Sequence, residues 1–175
     1  MAGQNFGSIS EAVSRIAARL SSASCGALTL GNPYGFGLAL HPKDRPTEIL
    51  DLAARVVEES DALRAPLSFA ELTNRELAER LNTQQRQYLY RWGYPMVMEE
   101  LCFQLTLTNR ISAKSQAILE KAAAEHFAEL IPTQFAIEDL CLFGEDSQTG
   151  MLHLLRRFPL KNENKKNGKC LTHAQ

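Results

Sequence analysis

Gln104-Leu105-Thr106 sets a carboxamide and a hydroxyl two residues apart, in a stretch where polar and apolar residues alternate. Residues at i and i+2 of a strand project from the same face, so both groups can reach one ligand atom cluster. Such a pair can donate and accept hydrogen bonds, but an amide does not titrate near neutrality and cannot carry a proton. Thr106 has a plainer reading as well, because β-branched residues favour strands wherever they occur. Arg110, just beyond this stretch, and Arg157, on a later strand, are strand-end cations of a kind that is mostly solvated.

Groups able to move protons are few. The histidines are His41, His126, His153 and His173, and none is followed at i+2 by Ser or Thr. His126, among Ala and Glu on a helix, and His173 near the C-terminus read as solvated. His41, before Pro42, reads as a turn residue. His153 shares a strand face with Met151, Leu155 and Arg157 and is expected to be structural. Cys25, Cys102, Cys141 and Cys170 form no C-x-x-C pair and have no histidine at zinc-ligand spacing, so no metal and no cofactor are expected. Cys102 and Cys141 lie in apolar stretches and are expected to be buried as small hydrophobes.

Composition narrows the classes further. The chain has 175 residues, 45% apolar and 22% charged, with a net charge of -1. A chain of that size buries enough surface to fold without staples. A near-neutral charge predicts neither a nucleic-acid partner nor attraction to an anionic membrane. The first residues, MAGQNFGSIS, lack the basic and apolar regions of a signal peptide, and no run approaches the ~20 apolar residues of a membrane span. Free thiols fit a reducing compartment, so a cytoplasmic location is expected.

The elements that must position these residues follow from periodicity. Ser8 and Glu11 have capping-box spacing, and Ile9, Ala12, Val13, Ile16 and Leu20 predict a helix over 9–21. Strands are predicted at 27–30 and 36–40, antiparallel across Gly31-Asn32-Pro33. Pro46 opens a helix whose buried stripe includes Ile49, Leu50, Leu52, Ala53, Val56 and Val57. Ser68 with Glu71 opens a polar helix to about Leu81, and Asn82-Thr83 caps another that stops at Gly93. This pair carries Arg75, Glu76, Glu79 and Arg80 and reads as an excursion from the sheet, with Trp92 and Tyr94 packing at its corner. Period-two alternation predicts a strand over 101–108, with Cys102, Gln104, Thr106 and Thr108 on one face. Ser112 starts a long helix to about Leu130, ended by Pro132. Strands over 135–143 and 152–158 follow, and 161–175 reads as a disordered polar tail. The C-terminal order strand–helix–strand–strand matches the N-terminal helix–strand–strand with one opening strand added, which suggests an internal repeat.

The run from Arg91-Trp92-Gly93-Tyr94-Pro95 through Phe103-Gln104-Leu105-Thr106-Leu107-Thr108-Asn109-Arg110 resembles the signature of the phosphonate-operon-associated branch of the two-histidine phosphoesterase superfamily. Leu154 to Leu160 and the strand Gly35 to His41 resemble the same family, so the likeness spans about 9–160. It implies an α+β fold: a mixed or antiparallel sheet with flanking helices, in two lobes. Residues 1–160 would form one domain, with 9–60 a partial first lobe, 61–100 a helical insertion and 101–160 the second lobe.

Each lobe of such proteins carries a His-x-Thr strand motif. One imidazole takes a proton from the attacking oxygen, the other protonates the leaving oxygen, and the hydroxyls hold the phosphoryl group. Here Gln104-Leu105-Thr106 stands where the second motif belongs. The first is absent with its strand, and Tyr34-Gly35-Phe36-Gly37-Leu38-Ala39 is a look-alike with Gly37 and Ala39 at the functional positions. The resemblance therefore implies a degenerate phosphoesterase-like protein of phosphonate metabolism, binding a phosphate-ester small molecule through Gln104, Thr106, Arg110 and Arg157 without turning it over. The alternatives are weak cyclic phosphodiesterase or RNA-end activity that recruits His153, or a truncated reading frame. The lost strand would leave an unpaired sheet edge, which a homodimer could pair.

Overall fold

The structure, a computed structural model, describes residues 6–162 apart from Phe36, Glu79 and Pro132. The tail expected from Lys161 therefore lies, from residue 163 onward, outside the described residues, as does His173. The fold is α+β: five helices of ten residues or more accompany short strands whose described ladders β2–β3, β3–β4 and β6–β7 are all antiparallel. No described helix is long and apolar enough to cross a membrane.

By contact, the described chain divides into two compact units: residues up to Ala23 with those from Ile137, and Ser24–Ala136 between them. The segment 101–160 thus contributes to both.

In the first unit, α1 (Phe6–Ala17) packs on the hairpin of β6 (Asp139–Glu145) and β7 (Leu152–Pro159). The buried Ser10 hydroxyl accepts a hydrogen bond from Arg156 Nη1 at 3.0 Å, which satisfies a polar group that burial would otherwise penalise. The helix starts before Ser8 and ends at Ala17, four residues short of the expected boundary. Tertiary pairing is the reason. Arg19 and Leu20 tighten into i→i+3 bonds, and the Leu20 carbonyl then accepts from the Lys161 N–H at 2.9 Å, drawing the chain into a parallel bridge at Ser21. In the β6–β7 turn, the Asp146 carboxylate accepts from the backbone N–H groups of Gln148 and Thr149. Those bonds hold its pKa below the usual value.

The second unit is built around β2 (Leu28–Gly31), β3 (Ala39–Pro42) and β4 (Leu105–Thr106), in that order. Leu28, Leu38, Ala39, Leu40, Ile49, Leu50 and Leu52 are buried, so the apolar stripe of α2 (Thr47–Ser60) is buried in its first half, whereas Ala53, Val56 and Val57, expected to continue it, are only half-buried. β1 (Ala23–Cys25) pairs with β5 (Phe135–Ile137). The strand expected over 135–143 is therefore two: β5 and β6 pair with different partners, and the Glu138 carbonyl between them accepts from Leu160 N.

Local chemistry fixes the helical pair α3 (Phe69–Ala78) and α4 (Thr83–Trp92). The Ser68 hydroxyl and N–H both donate to Glu71, whose carboxyl is pushed below its usual pKa by those two bonds. Asn82 and Gln85 form a reciprocal capping box, and Gly93 closes α4 in the left-handed conformation at φ 75°. Leu89 is fully buried, and the Arg91 guanidinium sits 4.3 Å over the Trp92 ring.

The largest departure concerns the strand expected over 101–108. Only Leu105 and Thr106 join the ladder, opposite Leu40 and Ala39. Beyond Thr106, the N–H groups of Leu107 (2.8 Å) and Thr108 (3.2 Å) converge on the single Leu38 carbonyl, which ends the alternation a ladder needs. Ser112 then caps α5 (Ala113–Phe127), accepting from Ser115 N.

Candidate functional site

The hydroxyl and amide singled out from sequence face a groove of about 850 Å³ that lies wholly within the second unit. Cys102, Gln104 and Thr106 all line it, so the period-two spacing does put them on one wall although regular strand covers only Leu105–Thr106. Arg110 lines the groove as well. The opposing walls come from the helical pair: Arg80 and Leu81 between α3 and α4, Gln85 on α4, then Tyr94 and Met96 after Gly93. Arg157 is not part of this wall. It belongs to the other unit, where its guanidinium lies 3.9 Å from the Asp139 carboxylate and donates to Cys141 Sγ at 3.7 Å.

Among the described residues lining the groove are two guanidiniums and no carboxylate, a set whose field favours an anion. The neighbouring Glu100 accepts from Gln85 Nε2 at 2.8 Å and from Asn82 Nδ2 at 3.4 Å. Gln85 in turn accepts from the Asn82 N–H at 3.0 Å, so its amide belongs to the helix cap. The freer amide is that of Gln104. Its Nε2 donates to Thr106 Oγ1 at 3.1 Å, while its Oε1 is sealed from solvent with no donor facing it. A buried acceptor left without a partner costs about 1–3 kcal/mol, and such atoms gather where a ligand or water completes the bonding.

Among the described residues, no histidine or carboxylate lines the groove. Its titratable neutral residues are Tyr94, which is half exposed, and Cys102, whose thiol is pushed up in pKa by burial and then by Glu100. A thiol held protonated is a poor nucleophile. His41 and His126 line other depressions of the same unit. His41 Nδ1 lies 2.9 Å from the Pro42 carbonyl, which can only accept, so that nitrogen carries the proton. His126 is exposed with its ring edge-on to Phe127. His153 is exposed on β7, in the first unit.

The look-alike segment has a physical reason for its small residues. Gly37 has φ +127°, and a Cβ there would meet the carbonyl oxygens of Thr108 and Asn109 at 2.4 and 2.6 Å. Leu38 N–H donates to Thr108 Oγ1 at 3.0 Å, fastening the same contact, and Ala39 is fully buried. Neither position could present a side chain to a ligand.

Three expectations need correction. Cys141 is exposed and Cys102 only half buried, because neither neighbouring strand is covered on both faces. Tyr94 is not a packing residue: it is 51% exposed and turned to the groove, while Pro95 beside it takes the buried position. Arg80, read as a solvated charge of a polar excursion, is exposed as expected and lines the groove as well. Nothing in the periodicity of α3 marked Arg80, whereas Tyr94 sits inside the sequence run that carried the family likeness.

A family model described as "Protein of unknown function (DUF1045)" matches residues 1–153, and the chain belongs to that family. It is also 38% identical over 113 residues to a ribose 1,5-bisphosphate phosphokinase, PhnN, from Janthinobacterium sp. (strain Marseille). That alignment covers 62% of this chain and 25% of the relative, so the chain spans about a quarter of that protein's length. No solved structure matches the chain.

Proposed function

We propose that this member of the family binds a phosphate ester in the Gln104–Thr106 groove and does not turn it over by paired-histidine chemistry. The observation that carries the reading is the composition of the groove wall: an amide and a hydroxyl beside Arg80 and Arg110, with no histidine or carboxylate among the described residues that line it. Anions suit such a site because guanidinium and hydroxyl donors make the shorter, stronger charge-assisted bonds. Proton transfer does not, since each missing general acid or base costs about 10²–10⁴ in rate.

The resemblance to two-histidine phosphoesterases supports the same site, because Gln104 and Thr106 occupy the positions of a His-x-Thr motif. The setting we propose is phosphonate metabolism, on the likeness to that family branch and to a relative named for a phosphorylated ribose. The relative's kinase activity is not carried over. The 175 residues contain no G-x-x-x-x-G-K-[ST] phosphate loop, and the aligned part is a quarter of that protein.

Calorimetric titration with propyl phosphate, paired with a cyclic phosphodiester hydrolysis assay, tests the reading. Binding is expected without turnover, and Thr106→Ala or Arg110→Ala should weaken it about tenfold, the loss typical of a hydrogen bond to a charged group. Turnover by the unaltered chain that falls in Thr106→Ala would replace this reading with that of a weak phosphodiesterase. No binding at all would remove the anion site.

A further inference from the structure

Resting on the phosphate-ester reading, we propose that the groove's ligand carries a hydroxyl near its phosphate and that Gln104 recognises that hydroxyl. Gln104 Nε2 donates to Thr106 Oγ1 at 3.1 Å, so the threonine oxygen accepts there and its one O–H remains to donate into the groove. An anion requires that arrangement, since phosphate oxygens accept and do not donate. The other end of the amide then bears the consequence. Gln104 Oε1 is sealed off and meets no donor.

Turning the amide over does not resolve the conflict. Oε1 would then accept from Thr106, but the hydroxyl proton would point at Gln104 and the anion would lose a donor. A bare phosphate ester thus leaves one group badly matched in either orientation, and a ligand that satisfies it gains on the order of tenfold in binding. A ligand hydroxyl removes the conflict. Gln104 swings outward to accept from it, and Thr106 stays with the phosphate. The groove has room for more than a phosphate: about 850 Å³ falls in the range of small-molecule sites. The ring of Tyr94 and the apolar Met96 and Leu101 offer a surface for a carbon skeleton. The ligand class is therefore a phosphorylated polyol.

Glycerol 3-phosphate and propyl phosphate share a three-carbon skeleton and differ in two hydroxyls, which makes them the probes. Titrated into the full chain at pH 8, where both phosphates are dianions, glycerol 3-phosphate should bind about tenfold tighter. Gln104→Met keeps the length of the side chain and removes the carbonyl; it should cost glycerol 3-phosphate about tenfold more affinity than it costs propyl phosphate. Equal binding of the two probes by the unaltered chain overturns the proposal, and that comparison decides the matter even if the variant fails to fold. A preference that survives in Gln104→Met overturns it too. If neither probe binds, the phosphate-ester reading falls and takes this proposal with it, whereas equal binding leaves that reading standing.

Discussion

Replacing Gly37 by alanine puts a methyl carbon 2.4 Å from the Thr108 carbonyl oxygen and 2.6 Å from that of Asn109. Optimal non-bonded contacts lie near 3.5–4.0 Å, so relief needs a backbone shift of roughly 1 Å. The opposing backbone is not free to give. Leu107 and Thr108 N–H both bond the Leu38 carbonyl, and Leu38 N–H bonds Thr108 Oγ1. Overpacking of this kind costs about 1–3 kcal/mol. A non-glycine residue at φ +127° adds about 1–3 kcal/mol of backbone strain. The expected loss is thus about 4 kcal/mol, a large part of the 5–15 kcal/mol that holds a domain folded.

Urea denaturation followed by the fluorescence of Trp92, the one tryptophan and a residue of the same unit, reads this directly. With a slope of about 2 kcal/mol per molar, the midpoint should fall by about 2 M. Gly35→Ala is the control. Its φ is +72°, but nothing lies within 4 Å of the added carbon, so only about 1–2 kcal/mol of left-handed strain is expected. A Gly37→Ala midpoint within 0.5 M of the parent (about 1 kcal/mol at this slope) would refute the reasoning, and with it the argument that this glycine could never have been a ligand-facing histidine.

Three further outcomes follow from the same contacts. Leu89 is fully buried on α4, so Leu89→Ala should cost about 2–5 kcal/mol, visible as a lowered thermal midpoint. Asn82→Ala removes the side-chain acceptor for the Gln85 N–H while its own N–H can still donate to Gln85 Oε1, and should cost about 1 kcal/mol, with faster amide exchange confined to the start of α4. Glu71 and Asp146 both titrate below their usual values because N–H and O–H donors hold the charged form. With the folded pKa below the unfolded one, each contributes stability above its unfolded pKa, about 4.3 and 3.9. That stability is lost as pH falls through the lower, folded value, so denaturation midpoints should drop on acidification from about pH 4.5, and less so in Glu71→Gln with Asp146→Asn.

The sequence carried the elements whose signals are local. Asn82 and Gly93 mark α4 by capping chemistry alone, and the structure uses each as the pattern suggests. Ser112 does the same for α5. Where bonding partners come from afar, the pattern misled. α1 stops at Ala17 because Lys161, far along the chain, captures the Leu20 carbonyl. The 101–108 strand shrinks to two residues because two N–H groups share the Leu38 carbonyl. Neither event leaves a mark in periodicity. Half of the site was legible for the same reason: Gln104 and Thr106 announce themselves by spacing, whereas Arg80 reaches the groove only through the packing of α3 and α4.

That packing changes what the helical excursion is for. A polar helix pair that serves only solubility would leave its charges to water, yet these charges are tied down. Glu76 holds Arg86 at 2.7 Å and accepts from the Tyr90 hydroxyl at 3.0 Å. Arg75 donates to the Gly93 carbonyl at 2.9 Å. Tyr88 donates to Glu99, which draws the end of α4 toward the turn before Leu101. Isolated surface pairs of this sort contribute little stability, so as a device for folding they are a poor investment. As a device for geometry they matter more, because the Glu76 bonds fix α3 against α4, and those of Arg75 and Tyr88 fix the pair against the segment 93–100 that leads into Gln104. The wall bearing Arg80, Gln85 and Tyr94 is thereby kept at a set distance from the wall bearing Gln104 and Thr106. On the phosphate-ester reading proposed above, a groove whose two sides are braced in this way selects its ligand by size.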